Sequence, residues 1–235
     1  SYFDEPFGNS SAMAAFICSK VAKADGVQVM LAGDGGDEIF AGNERYAKQK
    51  VFERYQQVPA LLRGGLESLL ATPLAKLPFF SKAKSYVDQA NVPLPDRLDS
   101  YNFLNRFALT EMFCPEFLAK VDPSAPAEAK RQRYHACSTQ DPVEKMMFLD
   151  WKFTLADNDF VKVTRMCHKA GVEVRYPLFE KEVVDFSCQV PTELKLPGNA
   201  LRDFYKQSFR GFLPDATLAK SKHGFGLPFG VWMKE

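Results

Sequence analysis

The chain has 235 residues, 46% of them hydrophobic and 25% charged, enough to bury a real core in one large domain or two small ones. Its net charge of +1 gives no reason to expect a nucleic acid or a membrane surface as partner. No apolar run reaches the roughly 18 to 20 residues of a membrane span, no signal-type segment opens the chain, and the five scattered cysteines (Cys18, Cys114, Cys137, Cys167, Cys188) lack metal-ligand spacing, so they read as reduced, mostly packed thiols of a cytoplasmic protein.

The opening Tyr2-Phe3-Asp4-Glu5-Pro6-Phe7 reads as the middle of a fold, which marks the chain as a fragment. Ser10 and Ser11 offer N-cap hydroxyls to a helix whose apolar residues Met13, Phe16, Ile17, Val21 and Ala24 fall at helical spacing, and Gly26 stops it. Val27 to Leu31 is strand-like and runs into Ala32-Gly33-Asp34-Gly35-Gly36-Asp37-Glu38. A glycine turn at a strand's carboxyl end is where open α/β sheets place ligand crevices, and glycines allow a ligand to approach the backbone closely. Asp34 and Asp37, three residues apart beside exposed N–H groups, suit a magnesium ion held on phosphate oxygens. A solvated surface turn is the competing reading, because Asp-Gly is ordinary turn chemistry.

Tyr46, Phe52 and Tyr55 predict a helix ending near Pro59, after which prolines at 59, 73, 78, 93 and 95 cut the chain into short helices and turns. Residues 122–127 read as a surface loop. At Asp141-Pro142-Val143-Glu144 an N-cap aspartate, a proline at the first helical position and a glutamate able to close a capping box predict a helix start. Asp157, Asn158 and Asp159 interrupt the apolar surface that follows. A further helix carries Phe160, Val163 and Met166 opposite Lys162, Arg165 and Lys169, the basic face reading as solvated rather than as an anion site. Gly171 closes it, and residues 172–177 are short, extended and ended by proline. The expected fold class is therefore mostly α with one or two short strands. His168 and His223 take no role.

Several blocks, in order, resemble the synthetase domain of glutamine-hydrolysing asparagine synthetases: Asp4-Glu5-Pro6-Phe7, residues 33–40, Arg45-Tyr46, residues 161–166 and 172–180, Leu194-Lys195-Leu196, Phe212-Leu213-Pro214-Asp215 and residues 220–228. The resemblance implies the remnant of an α/β ATP-pyrophosphatase fold, with residues 1–50 left from the nucleotide-binding half and 51–235 as the helical remainder of the same domain. It implies ATP and Mg²⁺ as cofactors, and aspartate activated by adenylation and then amidated by ammonia from glutamine. By the same carry-over Lys222 faces the reacting phosphate, Asp37 holds the metal, Ala32, Gly33, Gly35 and Gly36 meet the nucleotide, and Asp34 accepts a proton from the nitrogen nucleophile. An ordinary carboxylate is a weak base for that proton unless burial or neighbouring acids raise its pKa. Asn9 and Ser10 fall at the substrate end. Glu173 and Arg175 do so too, an arginine fork suiting an α-carboxylate, unless they form a buried ion pair supporting the turn.

The departures carry expectations as well. The Ser-Gly-Gly-x-Asp-Ser loop of the family occurs nowhere in these residues, and neither an amino-terminal cysteine nucleophile nor a glutaminase domain is present, so both are expected from the parent chain and the 235 residues alone are expected not to make asparagine. Val27 to Leu31 is expected to lack neighbouring strands, leaving an edge that invites self-association, as in a homodimer. Ala32, Asn9, Asn43 and Thr164 stand where the family commonly has serine, aspartate, tyrosine and aspartate, which leaves open a relative that amidates a sugar, a peptide or a β-lactam precursor. A noncatalytic helical module descended from such an enzyme is a further alternative. A metal-binding protein built on Asp34, Asp37 and Glu38 is the last, although the turn lacks the alternating acids of a calcium loop.

Overall fold

The computed structural model describes residues 2–73, 77–102, 105, 107–220 and 227–234. In chain order the helices and strands are α1 (Ser11–Ala24), β1 (Val29–Leu31), α2 (Gly36–Ile39), α3 (Glu44–Gln57), α4 (Ala60–Leu70), α5 (Pro78–Asn91), α6 (Leu109–Met112), α7 (Pro115–Leu118), α8 (Ala125–His135) and α9 (Pro142–Leu149). A π-helical stretch, Asp150–Asp159, is followed by α10 (Phe160–Ala170), β2 (Glu173–Arg175), α11 (Lys181–Gln189), α12 (Thr192–Lys195), α13 (Asp203–Ser208), α14 (Asp215–Leu218) and α15 (Phe229–Trp232). The protein is mostly helical with one two-stranded sheet, as the sequence pattern predicts.

The chain forms two compact units, Ser1–Asn43 with Asp150–Glu235, and Glu44–Leu149. Residue 50, where the sequence reading divides the domain, lies inside α3. In the first unit β1 and β2 run parallel, with Val29, Met30 and Leu31 opposite Glu173, Val174 and Arg175. Bonds from the Glu173 amide to the Gln28 carbonyl and from the Ala32 amide to the Arg175 carbonyl, both 2.9 Å, extend the ladder. The expectation that β1 would lack a neighbour is thus corrected, because a partner strand comes from 144 residues further along. Its side chains nevertheless stay open, and Leu31 is 71% exposed.

Helix α1 packs on α10 through small residues. Ala14 and Ser19 are buried, and the Ser19 hydroxyl donates to the Ala15 carbonyl at 2.7 Å and lies 3.2 Å from the Cys167 sulfur. The apolar stripe Met13, Ile17 and Val21 is 54–58% exposed. The N-cap assignment also changes: Ser10 makes no side-chain cap bond, and the Asn9 carboxamide oxygen instead accepts from the Ser11 amide at 3.1 Å and the Ser11 hydroxyl at 2.6 Å. Gly26 ends the turn after α1 with φ 83°, and Gly171 closes α10 with φ 78°, as their types predict.

Sequence expectation and structure part at Asp157, Asn158 and Asp159. They do not break the helical path, which continues in the wider π geometry into α10.

In the second unit α3, α5, α8 and α9 carry the buried apolar residues Tyr46, Phe52, Val87, Tyr134, Val143, Met146 and Met147. Asp141 caps α9, its carboxylate accepting from the Glu144 amide at 2.8 Å, while the Asp141 amide turns to the Thr139 hydroxyl at 3.1 Å. Residues 122–127 are loop only in their first half, since an Asp122 turn onto Ser124 starts α8 at Ala125. Arg97 is buried, and among the described residues no carboxylate pairs with it. It donates to the Val92 carbonyl, the Ala90 carbonyl and Gln49 at 2.8–3.0 Å and lies 4.7 Å over the Phe52 ring. All five cysteines are free, but only Cys167 is buried, and Cys18, Cys114 and Cys188 are exposed, which corrects the expectation of mostly packed thiols. Among the described residues no helix is long and apolar enough to cross a membrane.

Candidate active site

The strand-to-turn transition after β1 opens a cleft of about 850 Å³ in the first unit. One wall is the glycine turn, where Gly33, Asp34, Gly35, Gly36, Asp37 and Glu38 all line the space; Thr154, Leu155 and Asp159 of the π-helical stretch, Leu178, Asn43, Arg202 and Tyr205 complete it. The glycines serve different ends. A Cβ at Gly35, whose φ is 94°, would come 2.7 Å from Phe179, and one at Gly36 would come 2.9 Å from Leu178. Those two glycines seat the turn on the segment after β2. Around Gly33 nothing lies within 4 Å of the same position, so this is the glycine that leaves the backbone open to a ligand.

Asp37 is set by the far side of the turn. The Gly42 amide donates to the Asp37 carbonyl at 2.7 Å, and the Cβ that glycine lacks would fall 1.8 Å from the Asp37 Oδ1 and 2.8 Å from its Cα. The missing methyl is therefore the space the Asp37 carboxylate occupies. The Glu38 carbonyl accepts from the Trp151 indole at 3.0 Å, tying the turn to the π-helical stretch.

Burial pushes the Asp34 carboxyl above its ordinary value, opposed by the nearby Lys162 ammonium and reinforced by Asp159. That supplies the condition under which this acid becomes a better base. Glu38 is raised further, to about 7, by burial first and then by the adjacent Asp37 charge. Lys162 corrects the solvated-face reading: its side chain is only 13% exposed and donates to Asp159 at 2.6 Å. Arg165 instead pairs with Asp4 at 2.5 Å, and Lys169 sits over the rings of Tyr2 and Phe16.

Gly33, Asp34, Gly35, Gly36 and Asp37 thus reach one cleft. Ala32 is not among its lining residues and spends its amide on the sheet. Asn9 and Ser10 lie at the start of α1, Asn9 engaged in capping and in a 3.2 Å bond to Asn158. Glu173 and Arg175 pair at 2.7 Å, but the pair is exposed rather than buried; Arg175 borders a separate recess of about 320 Å³ with Phe160, Tyr176 and Phe179. Lys222 and His223 lie outside the described residues. Arg202, Asp159 and Tyr205 were not legible as site residues. The only local signal was the Asp159–Lys162 spacing of three on a helix.

Among the described residues no three Asp, Glu, His or Cys side chains converge into a metal cage. The family model for asparagine synthase matches residues 1–235. The chain belongs to the asparagine synthase family. It is similar to asparagine synthetase (glutamine-hydrolyzing) 1 of Bacillus subtilis, with 25% identity over 99% of this chain and 36% of that protein. Proteins of Mycobacterium tuberculosis and Mycobacterium bovis, named as candidate glutamine-hydrolyzing asparagine synthetases, are 23% identical over 99% of this chain and 34% of theirs. The chain spans about a third of the length of these relatives. No solved structure gives a significant match.

Proposed function

We propose that this chain is part of an ATP-dependent amide-forming ligase that converts the side-chain carboxylate of aspartate, with nitrogen from glutamine, to asparagine, releasing AMP and pyrophosphate. The observation that carries the reading is the cleft itself, where an open glycine, Asp34 and Asp37 share one wall and Arg202 stands in another. The names of the relatives supply the reaction. ATP supplies the activation: a carboxylate oxygen bonds to the α-phosphorus as pyrophosphate leaves, and ammonia then forms the amide as AMP and a proton depart.

The donor set fits a magnesium ion shared with phosphate oxygens. Such an ion takes one or two carboxylates and keeps its remaining positions for phosphate and water, so a missing all-protein cage is no obstacle. Asp37 would hold it, its carboxylate fixed against Gly42. Asp34 would take the proton from the nitrogen nucleophile, its basicity raised by burial. Gly33 leaves room for the nucleotide, and Lys222 supplies the cation at the reacting phosphate.

A second acyl substrate class is kept open by Asn43, which lines the cleft where tyrosine is common in the family and leaves that wall smaller and more polar. The deciding experiment is carboxylate-dependent AMP release by the full-length protein over a panel containing aspartate, peptides, sugars with a carboxylate and β-lactam precursors. Release with aspartate is expected. Release with another member alone transfers the reading to that substrate, and no release with any member favours a noncatalytic module.

A further inference from the structure

We propose that Arg202 is the anion-binding residue of the cleft, donating to a non-bridging oxygen of the pyrophosphate group while Asp37 holds the metal on the same group. The inference rests on the metal-phosphate reading of the cleft and adds a residue to it.

Among the described residues that line the cleft, Arg202 is the single cation, facing four acids: Asp34, Asp37, Glu38 and Asp159. Lys162, the other nearby cation, is already committed to Asp159 at 2.6 Å. Arg202 is not committed in this way. Its Nε stands 3.8 Å from the Asp37 Oδ1, beyond hydrogen-bond length, and is buried without a hydrogen-bond partner among the described residues. A buried guanidinium N–H left unmatched is costly, so this N–H is a donor that an anionic ligand group can satisfy.

The backbone is held for this purpose at some cost. Arg202 has φ 58°, a left-handed conformation unusual for a residue with a side chain, and its amide donates at 3.3 Å to the carbonyl of Ala41, itself at φ 54°. Two such non-glycine residues meet at one hydrogen bond, and that bond fastens Arg202 to the loop that also positions Asp37. An acidic cleft repels a polyanion; a divalent ion on Asp37 and a fixed guanidinium beside it would reverse that field at the point where leaving-group charge develops. The planar fork matches phosphate oxygens, which a carboxylate-only wall cannot.

The test uses the full-length protein and two variants, R202Q and R202K, with titration calorimetry against Mn²⁺ alone, Mg²⁺-pyrophosphate and L-aspartate, and with thermal melts to compare folding. Expected are a loss of about 10- to 100-fold in pyrophosphate affinity for R202Q, partial recovery in R202K, and Mn²⁺ affinity unchanged or tighter because a neighbouring positive charge is gone. If R202Q binds pyrophosphate as well as the parent, or loses aspartate rather than pyrophosphate, the assignment is overturned while the reading of the cleft stands. Equal losses of Mn²⁺ and pyrophosphate would reduce Arg202 to a prop for Asp37 and overturn the assignment too. If the parent protein binds neither probe at millimolar concentration, the metal-phosphate reading itself fails and takes this assignment with it.

Discussion

Replacing Gly42 with alanine tests the geometry on which the metal-phosphate reading depends. The added methyl would lie 1.8 Å from the Asp37 Oδ1, 2.5 Å from its Cγ and 2.8 Å from its Cα. Rotation of the carboxylate can relieve the first two contacts but not the third, since the Cα belongs to a loop closed by the 2.7 Å bond from the Gly42 amide to the Asp37 carbonyl. The backbone must therefore shift, with an overpacking cost of about 1–3 kcal/mol. The Asp37 carboxylate loses its direction as well, and displacing a support of a metal ligand typically costs roughly 10- to 100-fold in affinity. Urea denaturation reads the first effect and Mn²⁺ titration the second. Gly33→Ala is the matched control: with nothing within 4 Å it should fold normally, yet weaken nucleotide binding where the ligand meets the turn. Parent-like Mn²⁺ affinity in Gly42→Ala, with an unchanged denaturation midpoint, would refute the argument.

Glu38, raised to about 7 from an ordinary 4.5, binds more protons folded than unfolded between those values, so its contribution to stability is full below pH 4.5 and is lost as pH rises through 7. Glu38→Gln should flatten the metal-free stability profile over that window and gain up to about 3 kcal/mol at pH 8; parallel profiles for the two proteins would count against the buried-acid account. Asn9→Ala should cost about 1 kcal/mol through the lost cap of α1, with aspartate affinity unchanged, and a selective loss of aspartate binding would instead place Asn9 at the substrate. Arg97→Ala should destabilise the protein by about 3 kcal/mol, because the Val92 carbonyl and the Gln49 amide oxygen lose their guanidinium donor, the Ala90 carbonyl is left with Gln56 alone, and a cavity opens under Phe52. A denaturation midpoint within error of the parent would show that water or a neighbour replaces the guanidinium.

Local chemistry made much of the fold readable. A cap aspartate followed by proline started α9, glycines after α1 and α10 stopped their helices, and the alternation into Gly33 placed the turn at a strand end. Reading by local rules failed where a distant residue competes. Ser10 satisfies the cap pattern, but Asn9 accepts from the Ser11 amide while also bonding Asn158, 149 positions away, and takes the cap. Lys162 and Lys169 have the same residue type on one helix, yet one is enclosed beside Asp159 and the other covers aromatic rings. The apolar spacing of α1 predicts its helix but not its surroundings, because periodicity reports which side chains share a face and not whether this chain covers them.

Residue type and order alone were enough to establish the acid-glycine turn, the helical character and the family, since these depend on contacts within a few residues or on motifs that survive as text. Only the tertiary structure brought Arg202 to Asp37 across 165 positions, gave Gly42 its reason to be glycine and raised Glu38 toward neutrality. Those are consequences of burial and of through-space distance, and neither is encoded in separation along the chain.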